Sequence, residues 1–205
     1  MTQTEKDILD KTREYVKKIM SSDTSGHDFH HVERVARNAR IILKKEKADH
    51  FVVMMACYLH DLDDPKLVRS EKDLTRKYLA SCPLDKEKSE RILKITEEIS
   101  FSKQKEGINP SSQEAMIVQD ADRLDALGAI GIARCYAYGG HESRPLFTGK
   151  RNDDSSTAHF YQKLYVLKDL MNTGTARRIA IKKTRFMKKY VRLLEADCFI
   201  PDDCA

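Results

Sequence analysis

The dipeptide His60-Asp61 follows an apolar run, Phe51-Val52-Val53-Met54-Met55-Ala56-Cys57-Tyr58-Leu59. A helix apolar on every side is a buried one, so an imidazole and a carboxylate at its end face inward or line a cleft. There the two groups are costly unless they share a partner, and a divalent cation is the obvious one. Two further residues strengthen that reading. His31 lies beside an inward stripe of Val32, Val35, Ala36, Ala39, Ile42 and Leu43, spaced as on one face of a helix. Asp122 is embedded in a mostly apolar segment, Val118-Gln119-Asp120-Ala121-Asp122-Arg123-Leu124-Asp125. Two imidazoles and two carboxylates from three helices leave open positions on a six-coordinate ion such as Mn²⁺, Fe²⁺ or Mg²⁺, and open positions are what hydrolysis needs. Mn²⁺ is the first choice; Zn²⁺ and Ni²⁺ are not excluded by residue type.

These side chains must be carried by helices. A first helix is predicted over 5–20, with Ile8, Tyr15, Val16 and Ile19 on one face, ended by the polar loop Ser21-Ser22-Asp23-Thr24-Ser25-Gly26. The helix of His31 follows, then a buried helix over 50–61. Pro65 disfavours helical geometry at Asp64, so the acidic run His60-Asp61-Leu62-Asp63-Asp64 opens a loop. Helices are expected over 70–80 and 85–99, parted by Ser81-Cys82-Pro83, and a polar loop runs through Gly107 to Ser111. A long helix is expected from Gln113 to about Tyr136, with Ile117, Val118, Ala121, Leu124, Leu127, Gly128 and Ile132 inward. Residues 139–156 read as a long irregular segment, and helices over 157–172 and 175–196 close the chain. The expectation is an all-α fold: one compact helical domain over 1–205, without repeats.

Composition agrees. The 205 residues are 40% hydrophobic and 34% charged, with few glycines and prolines, which suits a helical globular protein better than a β-rich one. The net charge of +5 arises from scattered lysines and arginines, densest at Arg177-Arg178 and Lys182-Lys183-Thr184-Arg185. Such an excess attracts small phosphorylated metabolites, but without interleaved aromatics it does not argue for stable nucleic-acid binding. The five cysteines form no Cys-x-x-Cys pair, which disfavours a thiolate site or a disulfide framework. The polar start Thr2-Gln3-Thr4-Glu5-Lys6 is unlike a signal peptide and no apolar run reaches spanning length, so a cytoplasmic protein with no membrane partner is expected.

The order His31, His60-Asp61, Asp122 resembles that of the HD-domain metal-dependent phosphohydrolases, an all-helical superfamily. Three segments carry the likeness: Gly26-His27-Asp28-Phe29-His30-His31-Val32-Glu33-Arg34-Val35, Leu59-His60-Asp61-Leu62-Asp63-Asp64-Pro65-Lys66, and Asp120-Ala121-Asp122-Arg123-Leu124-Asp125-Ala126-Leu127-Gly128 with the residues to Arg134. They are similar to a bacterial branch that includes nucleotide pyrophosphohydrolases. The resemblance implies that His31, His60, Asp61 and Asp122 are the metal ligands and that His27 lies near substrate. It implies one ion, because members with two or three carry extra histidines before the last Asp and none occurs here from 61 to 140. Asp64 falls where alarmone hydrolases place a water-orienting glutamate, with Asp63 second to it; those enzymes continue Glu-Asp where this chain has Asp64-Pro65, which weakens an alarmone assignment.

Arg123 corresponds to a phosphate-contacting position in triphosphate-hydrolysing relatives, and Lys103 and Lys163 are further candidates for gripping phosphate. Arg34 is a candidate for supporting the site from behind the ligands, and Asp125, on much the same helix face as Asp122, is a candidate acceptor for a ligand histidine. The resulting expectation is an enzyme, hydrolysing a (deoxy)nucleoside triphosphate to monophosphate and pyrophosphate. The alternatives are a phosphomonoesterase or cyclic phosphodiesterase acting on a small nucleotide, and a nucleotide sensor without turnover. Oligomeric state is open, a homodimer included.

Overall fold

A computed structural model describes residues 1–20, 28–63, 73–99 and 107–199. Among them every regular element is helical, as the apolar periodicity predicts. In order these are α1 (Gln3–Met20), α2 (Phe29–Leu43), α3 (His50–Leu59), α4 (Leu74–Ser81), α5 (Lys86–Glu98), α6 (Gln113–Asp125), α7 (Gly128–His141), a π turn (Phe160–Leu164), a 3-10 turn (Leu167–Asp169) and α8 (Gly174–Cys198). No helix among the described residues is long and apolar enough to cross a membrane. The chain forms two compact units, Met1–Asp122 and Arg123–Ala205, and the boundary falls within α6.

In the first unit α3 is central, buried from Phe51 through Leu59 and packed against α1, α2 and α5. Its all-round apolar character is therefore core on every side, each large side chain contributing roughly 1.5–3 kcal/mol of burial. Asp49 starts α3 by accepting hydrogen bonds from the Phe51 and Val52 amides at 3.0 and 3.2 Å. The α2 stripe, Val32, Val35, Ala36, Ala39 and Ile42, is fully enclosed, and α2 begins at Asp28, whose carboxylate accepts from the His31 amide at 2.9 Å. On α5, Glu98 accepts from both the amide and the hydroxyl of Ser111, at 2.9 and 2.8 Å, tying the entry of α6 to the end of α5.

In the second unit α7 packs on α8 and the 3-10 turn packs on α8. Thr173 caps α8 through its hydroxyl, which accepts from the Ala176 amide at 3.2 Å, and Ala176, Ala180, Met187 and Val191 form the buried stripe.

The structure corrects three expectations. The long helix from Gln113 to about Tyr136 is two helices, because Leu127 is extended (φ −121°, ψ 157°) and Gly128 adopts φ +76°, a conformation that favours glycine. The segment 139–156 is irregular only after His141, where α7 ends. In place of a helix over 157–172 stand the π turn, closed by the Tyr165 amide on the Phe160 carbonyl at 2.9 Å, and the 3-10 turn.

Candidate metal centre

Three helices bring the four predicted ligands together, each near a terminus. His31 is in the first turn of α2, held from behind by the Asp28 cap. His60 directly follows the last residue of α3, Asp61 comes next, and Asp122 lies in the last turn of α6. The His31 and His60 side chains are 1% and 3% exposed, Asp61 12% and Asp122 35%, so the imidazoles form the floor and Asp122 opens towards solvent.

The Asp61 carboxylate bridges the two rings, with Oδ2 at 3.3 Å from His31 Nε2 and Oδ1 at 3.3 Å from His60 Nε2. Asp122 Oδ1 lies 3.4 Å from His31 Nε2 and 4.0 Å from His60 Nε2. Donor atoms of His31, His60 and Asp122 all lie within 4.8 Å of one another. With bonds of about 2.1 Å, ligands on one ion stand roughly 3 Å apart when adjacent and about 4 Å apart when opposite, so these spacings fit a shared cation.

The His60 ring is also oriented by a hydrogen bond from behind. His60 Nδ1 is 2.8 Å from the Cys57 carbonyl, which can only accept, so the proton is on Nδ1 and the Nε2 lone pair points into the cluster. That Nε2 is buried and makes no hydrogen bond among the described residues, the state expected of a nitrogen reserved for a metal. Beside it, burial, opposed by Arg40 and reinforced by Asp122, pushes the Cys57 thiol far above the usual range.

The other predicted residues are placed as follows. Both oxygens of Asp63 receive backbone amides at the start of α4, Oδ1 from Leu74 at 2.8 Å and Oδ2 from Thr75 at 3.0 Å. Arg34 is half-buried on α2. In the second unit Arg123 is buried and its Nη1 donates to the Leu170 carbonyl, Lys163 is half-buried in the π turn, and buried Asp125 pairs with Arg134 at 2.7 Å. His27, Asp64 and Lys103 lie outside the described residues. Sequence reasoning missed the Cys57 carbonyl, which carries no side-chain signal. It also passed over Asp28 as a cap, although an Asp three residues before His31 and ahead of an apolar stripe is such a signal.

The HD domain family model matches residues 28–127, the stretch that holds all four groups. The chain is 43% identical over 192 residues to the Bacillus subtilis (strain 168) protein YpgQ, covering 92% of each, and 32% identical over 158 residues to the mimivirus protein L803, covering 69% of this chain and 65% of that one. Among solved structures, YpgQ in complex with ADP is similar with a TM-score of 0.79 at 39% identity, covering 95% of this chain and 98% of that one. A Bacillus thuringiensis HD-superfamily hydrolase is similar with a TM-score of 0.77 at 37% identity, covering 94% and 97%. With the four groups inside the matched segment, and with YpgQ and the Bacillus thuringiensis hydrolase similar along more than 90% of its length, the chain belongs to the HD superfamily of metal-dependent phosphohydrolases.

Proposed function

We propose that the protein hydrolyses nucleoside triphosphates, deoxynucleotides included, to the monophosphate and pyrophosphate, with one divalent ion, Mn²⁺ first among the candidates, held by His31, His60, Asp61 and Asp122. The convergence of His31, His60 and Asp122, with Asp61 3.3 Å from both imidazoles and His60 Nε2 left open by the Nδ1 bond to the Cys57 carbonyl, carries the reading. The nucleotide class is supported by the ADP held by YpgQ, and triphosphate cleavage by the sequence resemblance.

When bound, the cation lowers the pKa of a water and polarises a phosphoryl oxygen. The chain supplies the rest. Asp64 accepts a proton from the attacking water, a role for which Asp63 is less suited because both of its oxygens hold the α4 amides. Arg123, Lys103 and Lys163 neutralise phosphate oxygens, and His27 contacts the substrate. The water oxygen bonds to the α-phosphorus, the bond to the bridging oxygen breaks, and pyrophosphate leaves.

Purified protein with Mn²⁺ and a panel of nucleotides in H₂¹⁸O tests this. Pyrophosphate release with the label in the monophosphate is expected. Orthophosphate release, ring opening of cyclic nucleotides alone, or nucleotide binding without turnover would each reject the proposed reaction. Asp61→Ala should abolish turnover, and an unchanged rate would remove Asp61 from the site.

A further inference from the structure

From Arg177 through Leu194 the long helix α8 carries eight lysines and arginines and no acidic residue. Five of them, Arg178, Lys182, Arg185, Lys189 and Arg192, recur three and four residues apart, so they line one stripe, and all five are exposed. Each neighbouring pair along the stripe is a like-charge pair, which destabilises a helix, and none of the five forms an ion pair among the described residues. Glu195, the first acid after the stripe, is taken by the Tyr161 hydroxyl, which donates to it at 2.7 Å. Two large apolar side chains lie along one edge of the stripe. Phe186, four residues after Lys182, and Leu193, four after Lys189, are 51% and 56% exposed. Beside Phe186 a groove of about 490 Å³ continues the apolar edge onto Leu127, Ala129 and Ile130 at the start of α7, within the same unit.

We propose that this side of α8 docks the protein on an anionic lipid bilayer, the cationic stripe against the headgroups and Phe186 and Leu193 entering the boundary between headgroups and acyl chains. From Arg178 to Arg192 the stripe runs about 21 Å, more than one small phosphorylated molecule covers, so its complement is an extended anionic surface. A second copy of the chain does not supply one, because a two-fold contact sets the stripe against itself. A nucleic-acid strand answers the charge, but it grips through several rings on which its bases stack, and the apolar edge has one, Phe186. A bilayer answers both features: acidic lipids attract the cations while exposed aromatic and aliphatic groups sink into the interface. A helix lying on a membrane needs no spanning segment, so the lack of a spanning apolar run does not count against it. The proposal stands apart from the metal reading.

The chain contains no tryptophan, so Phe186→Trp places a single reporter on the apolar edge. The test is flotation of the full chain, with and without this reporter, on vesicles of phosphatidylcholine and phosphatidylglycerol in equal parts and on vesicles of phosphatidylcholine alone. Flotation on the mixed vesicles is expected, weakening as salt is added, with a blue shift of the tryptophan emission and quenching by brominated acyl chains; phosphatidylcholine alone should give neither. Each cation near an anionic surface strengthens binding about fivefold, so Lys182→Gln/Arg185→Gln/Lys189→Gln should weaken it about a hundredfold, and Leu193→Ser about 3–10-fold. All four side chains are exposed, and relief of the like-charge stripe should leave Tm at or above wild type. If the triple variant fails to fold, Leu193→Ser and the salt titration of the wild type decide. No flotation of the wild type on the mixed vesicles overturns the proposal, as does flotation unchanged by the substitutions or without an emission shift. Retention of single-stranded RNA in place of vesicles, lost in the triple variant, would make the stripe a nucleic-acid face and overturn it equally.

Discussion

Replacing Asp63 by alanine separates two roles that adjacent carboxylates can play. Residue Asp73, directly before α4, is in the left-handed region (φ 58°) and makes no capping bond with its side chain. The first turn of α4 therefore takes its cap from Asp63, which accepts the Leu74 and Thr75 amides at 2.8 and 3.0 Å from the far side of the 64–72 segment. Loss of a capping oxygen costs typically about 1 kcal/mol. An ionised group at a helix N-terminus adds about 0.3–1 kcal/mol, reduced here by solvent because Asp63 is exposed. Asp63→Ala should therefore cost about 1–2 kcal/mol, and for a chain of this size that lowers Tm by roughly 3–7 °C. Asp63→Asn, which keeps one acceptor, should lose about half as much. Thermal unfolding followed by circular dichroism, with Mn²⁺ binding and turnover on the same samples, is the assay. Metal affinity and kcat should stay near wild type, while Asp64→Ala should cut kcat at least about a hundredfold, as for loss of a general base. An Asp63→Ala protein with wild-type Tm and a collapsed kcat would refute the capping argument and move the catalytic role to Asp63.

Two further outcomes follow from positions in the second unit. A Cβ on Gly131 would lie 2.2 Å from the Ala126 carbonyl oxygen, a backbone atom, so Gly131→Ala should destabilise by about 1–3 kcal/mol, whereas Gly140, with open space around it, should tolerate alanine with a gain of up to about 1 kcal/mol; equal urea midpoints for the two variants would refute the crowding at Gly131. Burial, aided by Lys163 and Arg144, lowers His159 from 6.5 to about 4, so the native state keeps it neutral where the unfolded chain takes up a proton. The stability it contributes is complete above the unfolded value and is lost as pH falls from about 6.5 towards 4. Its ceiling is about 3 kcal/mol, which partial solvent access reduces to about 1–2 kcal/mol. His159→Gln should therefore lose less Tm than wild type between about pH 7 and pH 4.5, and parallel losses would count against the buried neutral imidazole.

The all-helical fold and the nearness of His31, His60, Asp61 and Asp122 to one another were both readable because each rests on a strong local pattern. The α2 stripe and the apolar α3 segment can be buried in only one way, and a polar residue set against such a surface has to find a partner there. What escaped depends on contacts distant in sequence or on single backbone angles. The break after Asp125 hinges on Gly128 at φ +76°, and a glycine inside an apolar helical pattern reads equally well as an inward small residue, which is how it was assigned. Asp125, open in the sequence between an acceptor for a ligand histidine and a helix-surface charge, is buried and pairs with Arg134 on α7, and the periodicity of one continuous helix through 136 gave no reason to fold Arg134 back onto it. The capping role of Asp63 depends on the amides of Leu74 and Thr75, which lie 11 and 12 residues further along the chain.

The position of the helix ends has a chemical consequence. An imidazole ligand needs its second nitrogen held by an acceptor, or the ring turns and the proton can sit on the wrong atom. The Cys57 carbonyl supplies that acceptor for His60, and it is one of the last four carbonyls of α3, the ones a helix leaves for other donors. A helix continuing through Asp61, as the apolar run suggests, would commit this carbonyl to the helical ladder. Ending at Leu59 leaves its lone pairs available and turns His60 Nε2 towards Asp61. His31 obeys the same logic at an N-terminus, where the Asp28 cap occupies its amide and fixes the turn from which its ring projects.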